Sequence, residues 1–304
     1  MAKLPTRNAR RLMRSSMTAG FLYALAGAVL WGVNGTISKY VMSNYDVTPL
    51  WFSIVRQLGA GALFMACALW RTPRSIPDMF SGWRPVLQLM VIALTSVMFV
   101  QLGYLETIDW TNSATATVLQ CMSILIVMVY ACIKARKAPR RRDVVGAVMA
   151  LAGVFLLATG GNPSELALPW QGIVWGLVNA FGGAAMSVVP ILAIKKWGNF
   201  AVNGVSFLMS GIAMCVVCRP WSSMPHMDAL GWTLLALSVV VGTFVSFALY
   251  LKGVSVIGAV KGTMIDTCEP LAATVTSVLW LGASFTPADL TGFALIIAMV
   301  FVTV

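Results

Sequence analysis

The sequence predicts an all-α, polytopic membrane protein with ten transmembrane helices arranged as two inverted five-helix repeats. Three observations carry this prediction: a chain too apolar for water, ten separable apolar stretches, and a second half that echoes the first. The 304 residues are 59% hydrophobic and only 10% charged, with mean hydropathy +0.85. A soluble domain carries about 25% charged residues, so the excess of apolar side chains asks for lipid as its solvent.

The apolar stretches fall at 18–40, 49–70, 86–105, 111–133, 143–160, 170–193, 200–219, 230–251, 256–281 and 286–304. Inside hydrocarbon every backbone polar group must pair within its own structure, which favours helices. A barrel would need period-two alternation, and runs such as VLQCMSILIVMVYACI have none. The first stretch follows Lys3, Arg7, Arg10, Arg11 and Arg14 and continues from Met17 to Val41. That is longer than a signal-peptide core and long enough to span, so it reads as a retained first helix. The chain thus divides into a basic tail (1–17), a first five-helix unit (18–160) and a second (161–304).

Net charge is +11, but the basic residues cluster between apolar stretches rather than on an aromatic-laced face, which excludes a nucleic-acid partner. With the N-terminus in the cytoplasm, that side collects the basic tail, Arg71, Arg74, Arg84, Lys134, Arg136, Lys137, Arg140, Arg141, Arg142, Lys195, Lys196 and Lys252. The outer loops hold Arg219 with Asp46, Glu106, Asp109, Glu165, Asp228 and Asp289. Lys and Arg are retained on the cytoplasmic side of membrane proteins, and this asymmetry places both termini there. Lys39 is expected to snorkel to the outer interface, and Trp51, Trp110, Trp170 and Trp221 to form an interfacial belt.

The halves align with each other. At a shift of 146, Tyr104-Leu105 meets Tyr250-Leu251, Thr117 meets Thr263, Leu125 meets Leu271, and Asp143, Gly146, Ala152 and Phe155 meet Asp289, Gly292, Ala298 and Phe301. Near the start of each half the shift is 152, where Gly20, Ala24, Ala28 and Gly32 meet Gly172, Gly176, Ala180 and Ala184, and Gly59 meets Gly211. An odd number of spans per half turns the second copy upside down, the arrangement of many secondary carriers, whose sites lie near the midplane. The small-residue rows read as close helix packing.

Ionisable groups within a span are costly and need a reason. The ninth span holds Lys261, Asp266 and Glu269, with Asp266 and Glu269 on one helix face. Pro270 removes the N–H that would bond the Asp266 carbonyl and so marks a hinge, with Gly262 as the second hinge position. These groups read as the lining of a cavity, Lys261 foremost because short neighbours leave it room. The bland alternative is a structural knot in which Lys261 or Arg56 permanently neutralises the acids. Arg56, Gln101, Thr115, Thr117, Gln120, Trp31 and Asn34 are the further lining candidates.

Other chemistry has little support. The only histidine, His226, sits in an outer loop, so any proton coupling falls to Asp266 or Glu269. No phosphate-binding G-x-x-x-x-G-K-[ST] run, metal-ligand cluster or Ser–His–Asp set is visible, and no catalytic residue, metal or cofactor is expected. The Cys215-x-x-Cys218 pair lies inside a span without a charge to activate it, which reads as packing.

LWGVNGTISKYVM in the first span, SATATVLQCMS in the fourth and LYLKGVSVIGAVKGTMIDTCEPLAATVTSVLWLG across the eighth and ninth carry a resemblance to EamA-type transporters of the drug/metabolite transporter superfamily. The resemblance covers nearly the whole chain. It implies a multi-pass carrier of the cytoplasmic (inner) membrane that exports amino acids or related small metabolites by alternating access. It also implies that Lys261, Glu269 and Pro270 are cavity or hinge residues. Relatives often have a proline just after the VLQ-x-x-S stretch; Ile124 stands there, so a hinge in the first half is not expected. They also tend to carry a basic tail after the last span, within which this sequence ends at Val304. The alternative, an intramembrane enzyme acting on lipid or isoprenoid substrates, would need a reactive cluster that Glu106 and Asp109 do not supply.

Overall fold

The structure, a computed structural model, describes residues 7–162, 166–222 and 224–303. Lys3 of the basic tail and the outer-loop Glu165 lie outside the described residues. Ten longer helical segments follow one another among the described residues: α1 (Arg7–Tyr45), α2 (Pro49–Arg71), α3 (Trp83–Trp110), α4 (Ser113–Ala135), α5 (Arg141–Thr159), α6 (Trp170–Val188 and Ile191–Trp197), α7 (Asn199–Cys218), α8 (Ala229–Ile257), α9 (Ala259–Asp266 and Cys268–Leu281) and α10 (Pro287–Thr303), with a short helix Ser75–Met79 in the connection after α2 and a 3-10 turn Pro220–Ser222 after α7. No strand occurs among the described residues. Seven helices there are long and apolar enough to cross a membrane, namely α1 from Met17, α2, α3, α4, α5, α7 and α8, and α6 makes an eighth if its two pieces, bent by 45°, are one span. α10 is apolar but 17 residues long, and α9 carries Lys261, Asp266 and Glu269.

Local chemistry explains where the helices begin. Thr48 accepts the Trp51 N–H at 3.2 Å and Pro49 occupies the first turn of α2. Asn112 accepts the Thr115 N–H at 2.8 Å to open α4, and Asp228 accepts the Gly231 N–H at 2.8 Å to open α8. Gly258 at φ 88° turns the chain directly from α8 into α9.

Exchanging the two halves leaves the main helix pairings unchanged. α2 packs on α7 and α5 on α10; α1 packs on α8 and α9, as α6 packs on α3 and α4. The irregularities coincide as well. A π-helical turn interrupts α3 at Ala93–Val97 and α8 at Val240–Val245. α4 tightens at Cys121 and Met122, whose N–H groups bond the carbonyls three residues back, and α9 breaks at Thr267, 146 residues beyond Cys121. The tightening in α4 occurs without a proline, since Ile124 stands just beyond it.

The small-residue rows are contact surfaces, as their spacing suggested. A Cβ on Gly32 would lie 2.4 Å from the Glu269 carbonyl oxygen, and one on Gly253 2.4 Å from the Ala24 nitrogen. One on Gly182 would lie 2.6 Å from the Val100 nitrogen. Such approaches replace side-chain interdigitation with backbone contact, which helices in lipid depend on for association. Phe64, Phe207, Phe244 and Phe247 join α2, α7 and α8 in one aromatic cluster.

Polar contacts tie together loops that carry the same charge character. At the basic end, the Trp197 indole N–H donates to Asp78 at 2.7 Å and Lys196 approaches the same oxygen at 3.1 Å. These partners hold the Asp78 carboxyl below its ordinary range. At the acidic end, the Tyr45 hydroxyl donates to Asp228 at 2.7 Å and Lys39 reaches the Asp109 carbonyl at 2.7 Å. Trp51 departs from the belt expected of it. It is 5% exposed and edge-on to Trp232, whereas Trp110, Trp170 and Trp221 are exposed.

Candidate functional site: a polar cavity between the halves

A cavity of about 390 Å³ lies where the halves meet, within the range of small-molecule sites. Its deep end is built by Trp31 and Asn34 of α1, Arg56 of α2, Gln101 and Tyr104 of α3, and Glu269 of α9. Its other end is lined by Ile194 of α6, Asn199 and Asn203 of α7, Leu251 of α8 and Val300 of α10. These positions lie toward the ends of helices that also carry Lys195, Lys196 and Lys252, so the cavity runs from mid-depth toward the basic side. On the opposite side α1, α4 and α9 are joined by hydroxyl hydrogen bonds, Thr36 with Ser113 at 3.2 Å and with Thr276 at 2.6 Å, and Ser113 with Ser277 at 2.8 Å.

The lining is twinned. Gln120, Cys121, Ser123 and Ile124 of the α4 tightening face the same space as Asp266, Thr267, Glu269 and Pro270 of the α9 break, each pair 146 residues apart. Tyr104 and Tyr250 are a fifth such pair, and at the other shift Trp31 and Asn34 are matched by Gly183 and Met186. Broken helices present backbone and side-chain polar groups that a continuous helix would hide. Pro270 sits three positions into the second piece of α9, where the missing N–H has no intrahelical partner to lose.

Arg56 is 3% exposed. Its Nη2 donates to Gln101 Oε1 at 2.5 Å, while Nε and Nη1 have no acceptor. Among the described residues no carboxylate lies within 4.0 Å of it. The Tyr104 hydroxyl, Asn34 Oδ1 and Asp266 Oδ1 are likewise buried without partners. Trp31 packs edge-on to Phe247 at 5.0 Å and tilted on Tyr250 at 4.9 Å, forming an apolar wall. No ion pair among the described residues joins Asp266 or Glu269 to Arg56 or Lys261.

Seven of the sequence-predicted residues therefore meet in one cavity, Trp31, Asn34, Arg56, Gln101, Gln120, Asp266 and Glu269, together with Thr117 and the hinge residue Pro270. Three do not. Lys261 is exposed in the first turn of α9, because Gly258 starts that helix just before it and leaves the ammonium at the basic end. Thr115 is buried in the α4 packing, away from the lining. Gly262 is pressed on Val254, where a Cβ would come within 2.6 Å. Tyr104, Tyr250, Ser123, Asn199 and Asn203 line the cavity without having been expected there. The repeat alignment already paired the two tyrosines and was their available signal.

A helical membrane protein with a cavity between its two halves, lined by polar and apolar groups together, is built to carry a small molecule across a bilayer. The chain belongs to the EamA-like transporter family, which matches residues 18–159 and 170–304. It is 32% identical over 287 residues to the uncharacterized inner membrane transporter YicL of Salmonella typhimurium, covering 94% of this chain and 95% of that one. It is 25% identical over 284 residues to the uncharacterized transporter YwfM of Bacillus subtilis, covering 90% of each. A crystal structure with 17% identity aligns at a TM-score of 0.62 over 94% of this chain and 96% of that one, a likeness of fold alone. The protein is thus a membrane transporter, of a family that implies a small-molecule substrate.

Proposed function

We propose that the protein is a secondary active exporter of amino acids or related small metabolites, working by alternating access across the cytoplasmic (inner) membrane. Ten spans form two inverted five-helix repeats with both termini in the cytoplasm. The observation that carries this reading is the twinned lining, in which the tightening in α4 and the break in α9 meet one cavity from the two halves. The pairing set that survives exchange of the halves supports the inverted repeat, and the basic clusters support the orientation. The name of the Salmonella relative supports the inner membrane.

In this reading the cavity faces the cytoplasm and the hydroxyl cluster of Thr36, Ser113, Thr276 and Ser277 closes the outer side. Trp31, Asn34, Arg56, Gln101, Tyr104, Gln120, Asp266 and Glu269 hold the substrate. The breaks at Cys121–Met122 and at Thr267, next to Pro270, let the outer halves of α4 and α9 swing. Asp266 and Glu269 are the proton carriers, since the lone histidine is exposed outside the membrane-spanning helices. The test is counterflow: proteoliposomes preloaded with single unlabelled amino acids are offered the labelled compound. Saturable uptake dependent on the internal amino acid supports the reading, and uptake equal to protein-free liposomes for every compound contradicts it.

A further inference from the structure

We infer that the substrate bears a carboxylate and that Arg56 is the residue that binds it. The inference rests on the transport reading above and deepens it. A guanidinium carries five N–H donors. Arg56 spends one nitrogen on Gln101 and leaves Nε and Nη1 without an acceptor, although the side chain is buried where it lines the cavity. A buried cation without a counter-ion is strongly disfavoured, and protein groups do not relieve this one. The group that does must come from the cavity.

The lining dictates which anion. Arg56 is the only cationic side chain lining the cavity among the described residues, against two carboxylic acids, Asp266 and Glu269. A phosphate dianion would meet one positive group and two acids, a poor electrostatic match. A carboxylate asks for one cation, accepts the planar geometry of a guanidinium, and can share the unpartnered Tyr104 hydroxyl as a second donor. An ammonium on the same molecule would fall toward α9, where Asp266 Oδ1 has no partner. Removing the carboxylate from such a ligand leaves Arg56 unpaired, which is how sites built on buried polar groups discriminate most sharply.

The experiment compares α-amino acids with their carboxamides in two assays on wild type, Arg56→Gln and Arg56→Lys. The first assay is counterflow in proteoliposomes; the second is the thermal shift of purified protein, with acetate and acetamide at matched ionic strength added as minimal probes. The expected result is a preference of about tenfold or more for the acid over the amide in wild type. It is abolished in Arg56→Gln and weakened in Arg56→Lys, while all three proteins elute as single species. Equal counterflow of acids and amides in wild type overturns the Arg56 assignment and leaves the transporter intact. Thermal shifts by carboxylates that vanish in Arg56→Gln, without counterflow of any compound, uphold the anion site and contradict amino-acid transport. Equal shifts by acetate and acetamide together with no counterflow overturn both.

Discussion

Gln120 and Asp266 face the same cavity from α4 and α9, 146 residues apart in the sequence, each just before the point where its helix loses regularity. One half contributes a neutral amide and the other an acid at the same place in the repeat. Ser123 and Glu269 repeat the contrast one turn on. Charge thus enters the cavity chiefly from the second half of the chain and from Arg56.

That division predicts different outcomes for the two sides. Glu269→Gln is expected to abolish accumulation driven by a pH gradient while one-for-one counterflow persists, lowered by up to about tenfold, roughly 1.4 kcal/mol in barrier height, by the loss of one contact to the substrate. Ser123→Ala is expected to leave both intact. Uptake into proteoliposomes with and without an imposed gradient checks this. Gradient-driven uptake by Glu269→Gln at the wild-type rate would remove the carboxylate from coupling.

Lys261 lies outside the lining, so Lys261→Ala is expected to transport within about twofold of wild type, under about 0.5 kcal/mol. Tyr104→Ala, which removes a buried hydroxyl and an aromatic ring from the deep end, is expected to lose about tenfold or more. Initial counterflow rates for the two variants, normalised to incorporated protein, make the comparison. Loss in Lys261→Ala equal to that in Tyr104→Ala would return the lysine to the site.

The approach of α1 to α9 leaves no room at Gly32, since the atom that an added Cβ would strike is backbone rather than the tip of a flexible side chain. Gly32→Val is expected to cost about 1–3 kcal/mol by overpacking and to lower the melting temperature in detergent. Gly82, with nothing within 4 Å of its Cβ position and its φ of 173° in the extended range, supplies the control. A Gly82→Ala variant should melt within a degree or two of wild type. Equal melting temperatures for Gly32→Val and wild type would mean that α1 and α9 do not meet as described.

Asp78 links the loop after α2 to the end of α6 through Trp197 and Lys196. Its carboxyl titrates below 3.8 in the folded protein, so the unfolded chain binds its proton first as pH falls. The stabilisation is therefore fully present above 3.8 and is lost as pH drops through the lowered value. Asp78→Ala should melt below wild type at neutral pH, and the gap should close in strong acid. A gap unchanged down to pH ~2 would show that the carboxylate charge is not what holds this contact.

Much of this was legible in the sequence because lipid imposes simple rules. Apolar length marked the helices, and charge within a span marked Asp266 and Glu269. The positions of Lys261 and Gly262 were harder to read, since they depend on where a helix begins, and the left-handed turn at Gly258 decides that from the backbone. Thr115 lies about one and a half turns before Gln120 and packs inward while Gln120 lines the cavity. Spacing alone does not say which neighbour each face meets. The tightening of α4 leaves no mark in the sequence, since tight i to i−3 bonding at Cys121 and Met122 needs no proline.

The central claim is that one cavity opens in turn to the two sides of the membrane. The most direct measurement uses single cysteines at Asn199, at the basic mouth, and at Thr276, in the hydroxyl seal, in a background with the six native cysteines replaced. They are labelled by a membrane-impermeant maleimide from each face of oriented vesicles. Asn199→Cys should react from the cytoplasmic face and slow when a transported amino acid is added, while Thr276→Cys should react only from the outside and faster under the same condition. Labelling of both sites from one face, unchanged by any substrate that gives counterflow, would contradict alternating access through this cavity.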